Sequence, residues 1–167
     1  MGRTRDGGSR RSSSGVVVSA SAVFGEGESV SLARGLVRGF LRDVQGEHGL
    51  PVSERVWDTV QLVVSELVTN ARRHAPGACL LTLEVSGGAV AVSVWDGDPT
   101  PPTILPHDPD RLGRHGLEIV MALCRSFAVH RETVGKRISA CVVLADDPGG
   151  HVAGPPRRAV AHSRSTK

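Results

Sequence analysis

The strongest constraint on the fold is a long amphipathic helical pattern that starts at Ser53 and stops at Pro76-Gly77. Its apolar residues recur mostly three or four positions apart, and they are Val56, Val60, Val63, Val64, Leu67 and Ala71. This spacing predicts a helix of about six turns with one apolar face, capped at its start by the Ser53 side chain. Such a helix needs a second layer of structure to cover its apolar face.

The remaining patterns predict that second layer. The predicted elements are a strand at 16–24, a helix between Ser29 and Gly46, strands at 80–85 and 90–95 joined by a turn at 86–88, a third helix marked by Leu117, Val120, Leu123, Cys124 and Phe127, and two strands flanking Gly135. Hairpins that follow and precede helices in this order predict an α+β fold. We expect a two-layer α/β sandwich, with a mixed, mostly antiparallel sheet covered on one face by helices.

The positive charge of the chain is concentrated at its two ends. The formal net charge is +3, but residues 1–14 carry +3 and residues 155–167 carry +4, so residues 15–154 carry −4. An acidic body argues against a nucleic-acid-binding fold, and 3% aromatic residues provide no platform for stacking bases. We therefore predict a domain at 16–145 between disordered basic tails at 1–15 and 146–167, with no direct nucleic-acid partner.

Cysteine spacing and hydropathy indicate the compartment. Cys79, Cys124 and Cys141 are an odd number without C-x-x-C spacing, as expected of reduced thiols and not of a disulfide framework. No stretch approaches the ~18 consecutive apolar residues of a membrane span. The sequence predicts a cytoplasmic protein with no membrane partner.

Two polar residues, Glu66 and Asn70, interrupt the long helical pattern four positions apart, so they project from the same side of the helix. A carboxylate can accept a proton from a hydroxyl group, and an amide oxygen suits Mg²⁺ that is bound mostly by phosphates. The alternative is that both residues simply lie on the solvent-exposed flank of an amphipathic helix.

Two further motifs follow along the chain. Asp96-Gly97 comes directly after a strand, where a buried carboxylate can accept from an exocyclic amine, although such a pair is also a common turn. Glycines at 113 and 116 open the third helix, where backbone N–H groups can approach a phosphate. Helices also begin with glycine where no ligand binds, so the order of the three motifs carries the interpretation.

In that order, SELVTNARRHAPG (65–77), VWDGDPTPP (94–102) and GRHGLEIV (113–120) resemble the nucleotide motifs of the histidine kinase-like ATPase domain. This domain is shared by gyrase, a heat-shock chaperone, histidine kinases and MutL, and within it the chain resembles the bacterial anti-sigma factor serine/threonine kinases. The resemblance covers about residues 16–145. It implies the Bergerat-type ATPase fold, ATP and Mg²⁺ as cofactors, and possible homodimerisation.

The resemblance also implies roles for individual residues. Glu66 is expected to be the catalytic base, Asn70 the Mg²⁺ ligand and Asp96 the adenine anchor, while residues 97–113 form a lid. The remaining candidate nucleotide contacts are Arg73, Gly97, Arg111, Gly113, Arg114, His115, Gly116 and Leu117. Guanidinium groups in the lid, on Arg111 and Arg114, are suited to bidentate phosphate contacts.

This chain departs from the family pattern at several positions. Pro99 stands where a second glycine is usual, and Arg114 stands where the last motif normally has glycine. The late strand motif, commonly G-K/T-T-hydrophobic, is Gly135-Lys136-Arg137-Ile138 here, so the hydroxyl that normally supports the adenine-binding aspartate is missing.

Three functions remain open at this point. The first is a Mg·ATP-binding regulator that phosphorylates a Ser or Thr of an anti-sigma factor antagonist and so controls a sigma factor. The second is a non-catalytic module of the same fold, dependent on ATP or free of nucleotide, that binds an antagonist or a sigma factor. The third is an α+β domain that binds no nucleotide.

Overall fold

The computed structural model describes residues 18–104 and 116–144. Its elements are β1 (Val18–Phe24), α1 (Val30–Gly46), α2 (Glu54–His74), β2 (Cys79–Ser86), β3 (Ala89–Asp96), α3 (Gly116–Leu123), β4 (Ser126–Arg131) and β5 (Lys136–Val143). The predicted α+β class is confirmed. The predicted tails, at 1–15 and 146–167, lie outside the described residues, and their boundaries stay predictions.

The five strands form one sheet in the order β1-β2-β3-β5-β4. Every pairing among the described strands is antiparallel. Side chains alternate between two environments, as in β2, where Leu81, Leu83 and Val85 are buried and the intervening residues are not. Alternation of this kind shows a sheet with one face against the core, so the two-layer sandwich is confirmed.

The long helix α2 lies at the centre of the covering layer. Its first turn is capped by Ser53 Oγ, which accepts from the backbone N–H of Val56 at 3.3 Å. It contacts α1, α3 and the strands β2, β3 and β5. All six apolar positions predicted for its inner face are buried. The inner face of α2 therefore packs against the three middle strands of the sheet.

The third helix is shorter than the sequence predicts. Periodicity suggested a helix that includes Phe127, but α3 ends at Leu123 and Phe127 lies in β4. The backbone N–H of Cys124 still bonds Val120 O at 3.0 Å, whereas the next N–H, of Arg125, bonds Cys141 O on β5 at 2.8 Å. Hydrogen bonding to the sheet therefore begins two residues after the end of the helix, and the apolar spacing continues across the change.

All three cysteines are free thiols, as the sequence predicts. Burial raises the pKa of Cys124 from its ordinary value to about 12, and it also raises the pKa of Cys79. These two side chains are packing residues of the core. Across 18–104 and 116–144, no helix is long and apolar enough to cross a membrane.

Candidate functional site

A buried ion pair lies where β3 ends and β5 begins. Asp96, the last residue of β3, is paired in register with Lys136, the first residue of β5. Both residues are 1% exposed, and Lys136 Nζ lies 2.9 Å from Asp96 Oδ1. A buried charge without a partner is very unfavourable, so each side chain accounts for the burial of the other.

The two oxygens of the Asp96 carboxylate differ in their contacts. Oδ1 accepts from Lys136 Nζ and from the backbone N–H of Asp98, both at 2.9 Å. Within the described parts of the chain, no group donates to Oδ2. A carboxylate oxygen can accept two hydrogen bonds, so Oδ2 keeps its capacity for a ligand donor.

The turn between β4 and β5 is packed directly onto the end of β3. Gly135 has φ +75°, and a Cβ atom there would collide with Asp96 O and lie 2.9 Å from Gly97 Cα. Lys136 Nζ also donates to Asp98 O at 2.9 Å, which ties β5 to the segment that leaves β3. The backbone around Asp96 and Gly97 is therefore fixed from two sides.

Asp98 organises the start of the following segment. Its Oδ1 accepts from the backbone N–H of Thr100 at 2.9 Å, and this hydrogen bond is the main cause that lowers the pKa of the Asp98 carboxyl. The segment from Gly97 to Thr100 thus turns away from the sheet in a defined way, as an Asp side chain that bonds the backbone two residues ahead permits.

Glu66, on α2, lies at the contact between α2 and α3. A Cβ atom at Gly116, the first residue of α3, would collide with Glu66 Oε2. The Glu66 carboxylate therefore lies against the start of α3, in a space that only glycine leaves open. Leu117, the next residue, is 8% exposed and belongs to the hydrophobic core. The first and third predicted motifs are in contact through Glu66 and Gly116.

Asn70 contains an unpaired buried donor. Its side-chain Nδ2 is buried and, in the described parts of the chain, has no hydrogen-bond partner. Leaving a buried amide donor unsatisfied costs about 1–3 kcal/mol. Folded proteins rarely keep such a group unless a ligand or a water molecule satisfies it, so Asn70 is the clearest sign of a binding site on this flank of α2.

An open groove lies along the C-terminal part of α2. It is lined by Gly27, Glu28, Val30, Thr69, Arg72 and Arg73. Arg72 is held there because its Nη2 donates to Gly25 O at 3.2 Å. Arg73 is exposed three positions after Asn70, on the same side of α2, so its guanidinium group is available for an anion.

The described residues hold no cluster of three or more His, Cys, Asp or Glu side chains that could bind a metal ion by itself. The donors on this side of α2 are the amide oxygen of Asn70 and the carboxylate of Glu66. This set fits Mg²⁺ whose other ligands are phosphate oxygens and water, because Mg²⁺ typically keeps few protein ligands.

Four predicted contacts, Arg111, Gly113, Arg114 and His115, lie outside the described residues. Lys136, by contrast, was missed as a site residue. The signal was present, since Lys136 precedes Ile138, Ala140 and Val142 at a spacing of two and so belongs to the buried face of its strand. A lysine on a buried strand face requires a counter-charge.

Fold and site together define an α+β sandwich with polar side chains on one flank of the long helix and a buried ion pair at the end of β3. A family model described as the histidine kinase-like ATPase domain matches residues 29–142, which is more than half of the chain. The chain therefore belongs to the histidine kinase-like ATPase domain family. The matched region contains α1 to β5 apart from its last residue, and hence Glu66, Asn70, Asp96, Gly116 and Lys136. A search of curated proteins gave no match.

Proposed function

We propose that this protein binds Mg·ATP between α2 and the end of β3 and transfers the γ-phosphoryl group to a Ser or Thr hydroxyl of a partner protein. The observation that carries the proposal is the buried Nδ2 of Asn70, which has no hydrogen-bond partner among residues 18–104 and 116–144. Membership of the histidine kinase-like ATPase family supports a nucleotide as the missing ligand.

At the adenine end of the proposed site, Asp96 is the residue that recognises the nucleobase. Its Oδ2 is left without a donor by the described residues, while Oδ1 is held by Lys136. The 6-amino group of adenine is a hydrogen-bond donor of the kind that Oδ2 can accept. Gly97, directly after Asp96, leaves room for the base because it has no side chain.

At the phosphate end, Asn70 provides an amide oxygen for Mg²⁺, and the ion neutralises charge on the triphosphate when bound. Arg73 lies on the same side of α2 and adds a positive charge beside this position. The first backbone N–H groups of α3, from Gly116 onward, are unsatisfied within the helix and favour an anion.

Glu66 is the residue placed to act as the catalytic base, which accepts the proton of the partner's hydroxyl group. In the transfer, the hydroxyl oxygen of the partner forms a bond to the γ-phosphorus, the bond to the bridging oxygen of ADP breaks, and Glu66 takes the hydroxyl proton. A positioned base of this kind contributes about 10²- to 10⁴-fold to the rate. Its contact with Gly116 holds the carboxylate at the junction of α2 and α3.

The partner that fits this proposal is an antagonist of an anti-sigma factor, and control of a sigma factor is the expected outcome in the cytoplasm. The resemblance of the three motifs to anti-sigma factor kinases supports this choice. It also supports a homodimer as the working form of the protein.

The test is phosphotransfer from radiolabelled Mg·ATP to a panel of candidate antagonist proteins, with the full chain and its Glu66→Gln variant. We expect the variant to lower the transfer rate by about 10²-fold or more, while its ATP affinity changes less than about fivefold. Glu54→Gln is the matched control, because Glu54 is exposed at the opposite end of the same helix.

Two results would contradict the kinase proposal. Full-rate transfer by Glu66→Gln would remove Glu66 as the base. Tight ATP binding without transfer to any antagonist would leave a non-catalytic, ATP-dependent binding module.

A further inference from the structure

We propose that Lys136 makes the base pocket selective for purines with a 6-amino group, because it holds Asp96 as a charged acceptor with one oxygen left for the ligand. The inference rests on the proposed function, since it concerns which nucleotide that site accepts. It assigns a specificity-determining role to the residue that faces Asp96 across the sheet.

The register of β3 with β5 brings Asp96 and Lys136 together. Antiparallel pairing places Asp96 and Lys136 directly opposite each other, and the neighbouring pair on the same face, Val94 with Ile138, is part of the core. Side chains that face each other across an antiparallel pair lie close together. The lysine therefore meets Asp96 inside the protein, where solvent does not screen the ion pair.

Orientation is the second step. Lys136 Nζ donates to Asp96 Oδ1 and to Asp98 O, both at 2.9 Å. If the Asp96 carboxylate rotated, Lys136 Nζ could follow Oδ1 only by losing its hydrogen bond to Asp98 O. Asp96 is thereby fixed with Oδ1 on the lysine, and Oδ2 remains for a bound base.

Charge is the third step. A carboxyl group that is buried without a cation takes up a proton and then both donates and accepts. In this protein the Lys136 ammonium donates to Oδ1, so the Asp96 carboxylate faces the ligand as an acceptor. An acceptor bonds the 6-amino group of adenine but repels the 6-carbonyl oxygen of hypoxanthine, so the pair selects between two bases of nearly equal shape.

No other described cation contacts Asp96. Arg137, the next residue, belongs to the opposite face of β5, and its guanidinium group pairs with Glu132. It is about half exposed there. Arg137 therefore provides a matched control, because it is a neighbouring cation on the same strand that does not contact the pocket.

The experiment compares the dissociation constants of Mg·ATP and Mg·ITP, measured by calorimetry, for the full chain and its Lys136→Met and Arg137→Met variants. We expect the unmodified protein and Arg137→Met to prefer ATP by about 100-fold or more, as for sites that pair a buried polar group with the substrate. In Lys136→Met the preference should narrow at least about tenfold, because the Asp96 carboxyl loses the cation that holds Oδ1 and leaves Oδ2 for the 6-amino group.

Folding of the variants is checked by circular dichroism. Lys136→Gln serves if Lys136→Met does not fold, because it also removes the charge while filling much of the space. A folded variant without this charge that keeps the full preference for ATP overturns the role of Lys136 and leaves the proposed function intact. Failure of the unmodified chain to bind either triphosphate overturns the proposed function, and this inference with it.

Discussion

We expect Asn70→Ala to lower the affinity for Mg·ATP by about 100-fold or more, because in the proposed function this side chain gives the ion an amide oxygen and gives the ligand a donor. Losing a single group that supports a metal site typically costs 10- to 100-fold in affinity. Here the same side chain supplies both groups. The measurement is calorimetric titration of the full chain and of the variant with Mg·ATP.

The same substitution should leave the free protein folded and at least as stable. Asn70 Nδ2 is a buried donor without a partner in the described structure, so its removal relieves a cost of about 1–3 kcal/mol. Alanine also has a higher helix propensity than asparagine. We therefore expect an unchanged or higher melting temperature without nucleotide, together with loss of the stabilisation that Mg·ATP gives the unmodified protein.

Gln61→Ala is the control for this pair of results. Gln61 is a neutral amide on the same helix, about 13 Å before Asn70 along its axis. The Gln61→Ala variant should bind Mg·ATP as tightly as the unmodified protein does. If Asn70→Ala bound as tightly as Gln61→Ala, the unpaired amide would have no part in binding.

Gly135→Ala is expected to lower the free energy of unfolding by about 3 kcal/mol or more. Two effects add at this position. The residue has φ +75°, which costs an L-residue roughly 1–2 kcal/mol, and the new Cβ would collide with the backbone of Asp96 and Gly97. Backbone atoms cannot move aside as a flexible side chain does, so the turn and the end of β3 have to separate.

Gly88→Ala separates the two effects. Gly88 also has φ +75°, but a Cβ there would meet nothing within 4 Å. Its substitution should cost only the conformational part, roughly 1–2 kcal/mol, in the same urea denaturation experiment. Equal losses for the two variants would show that the turn does not press on Asp96.

Local patterns predicted the elements that depend on neighbours in sequence. Helix α2 was readable because its apolar period and its Ser53 cap both lie within the segment itself. The end of α3 was not readable, because it is set by a hydrogen bond from Arg125 to Cys141, which lies on a strand that comes later in the chain. The predicted helix was therefore too long.

The site also combines features that the local sequence predicts with features that depend on residues distant in sequence. Glu66 and Asn70 were placed on one side of a helix by their spacing alone, whereas the contact of Glu66 with Gly116 depends on how α2 and α3 pack. Lys136 could have been recognised as buried from its strand period. Its partner Asp96 follows only from the register of β3 with β5, which the sequence does not state.

A crystal structure of the full chain with Mg²⁺ and a non-hydrolysable ATP analogue is the most direct test of the central claim. We expect the Asn70 amide oxygen about 2.1 Å from the ion and Asp96 Oδ2 within about 3 Å of the 6-amino nitrogen. A nucleotide bound elsewhere, or side chains of Asn70 and Asp96 that both remain without ligand contacts at saturating analogue, would contradict it.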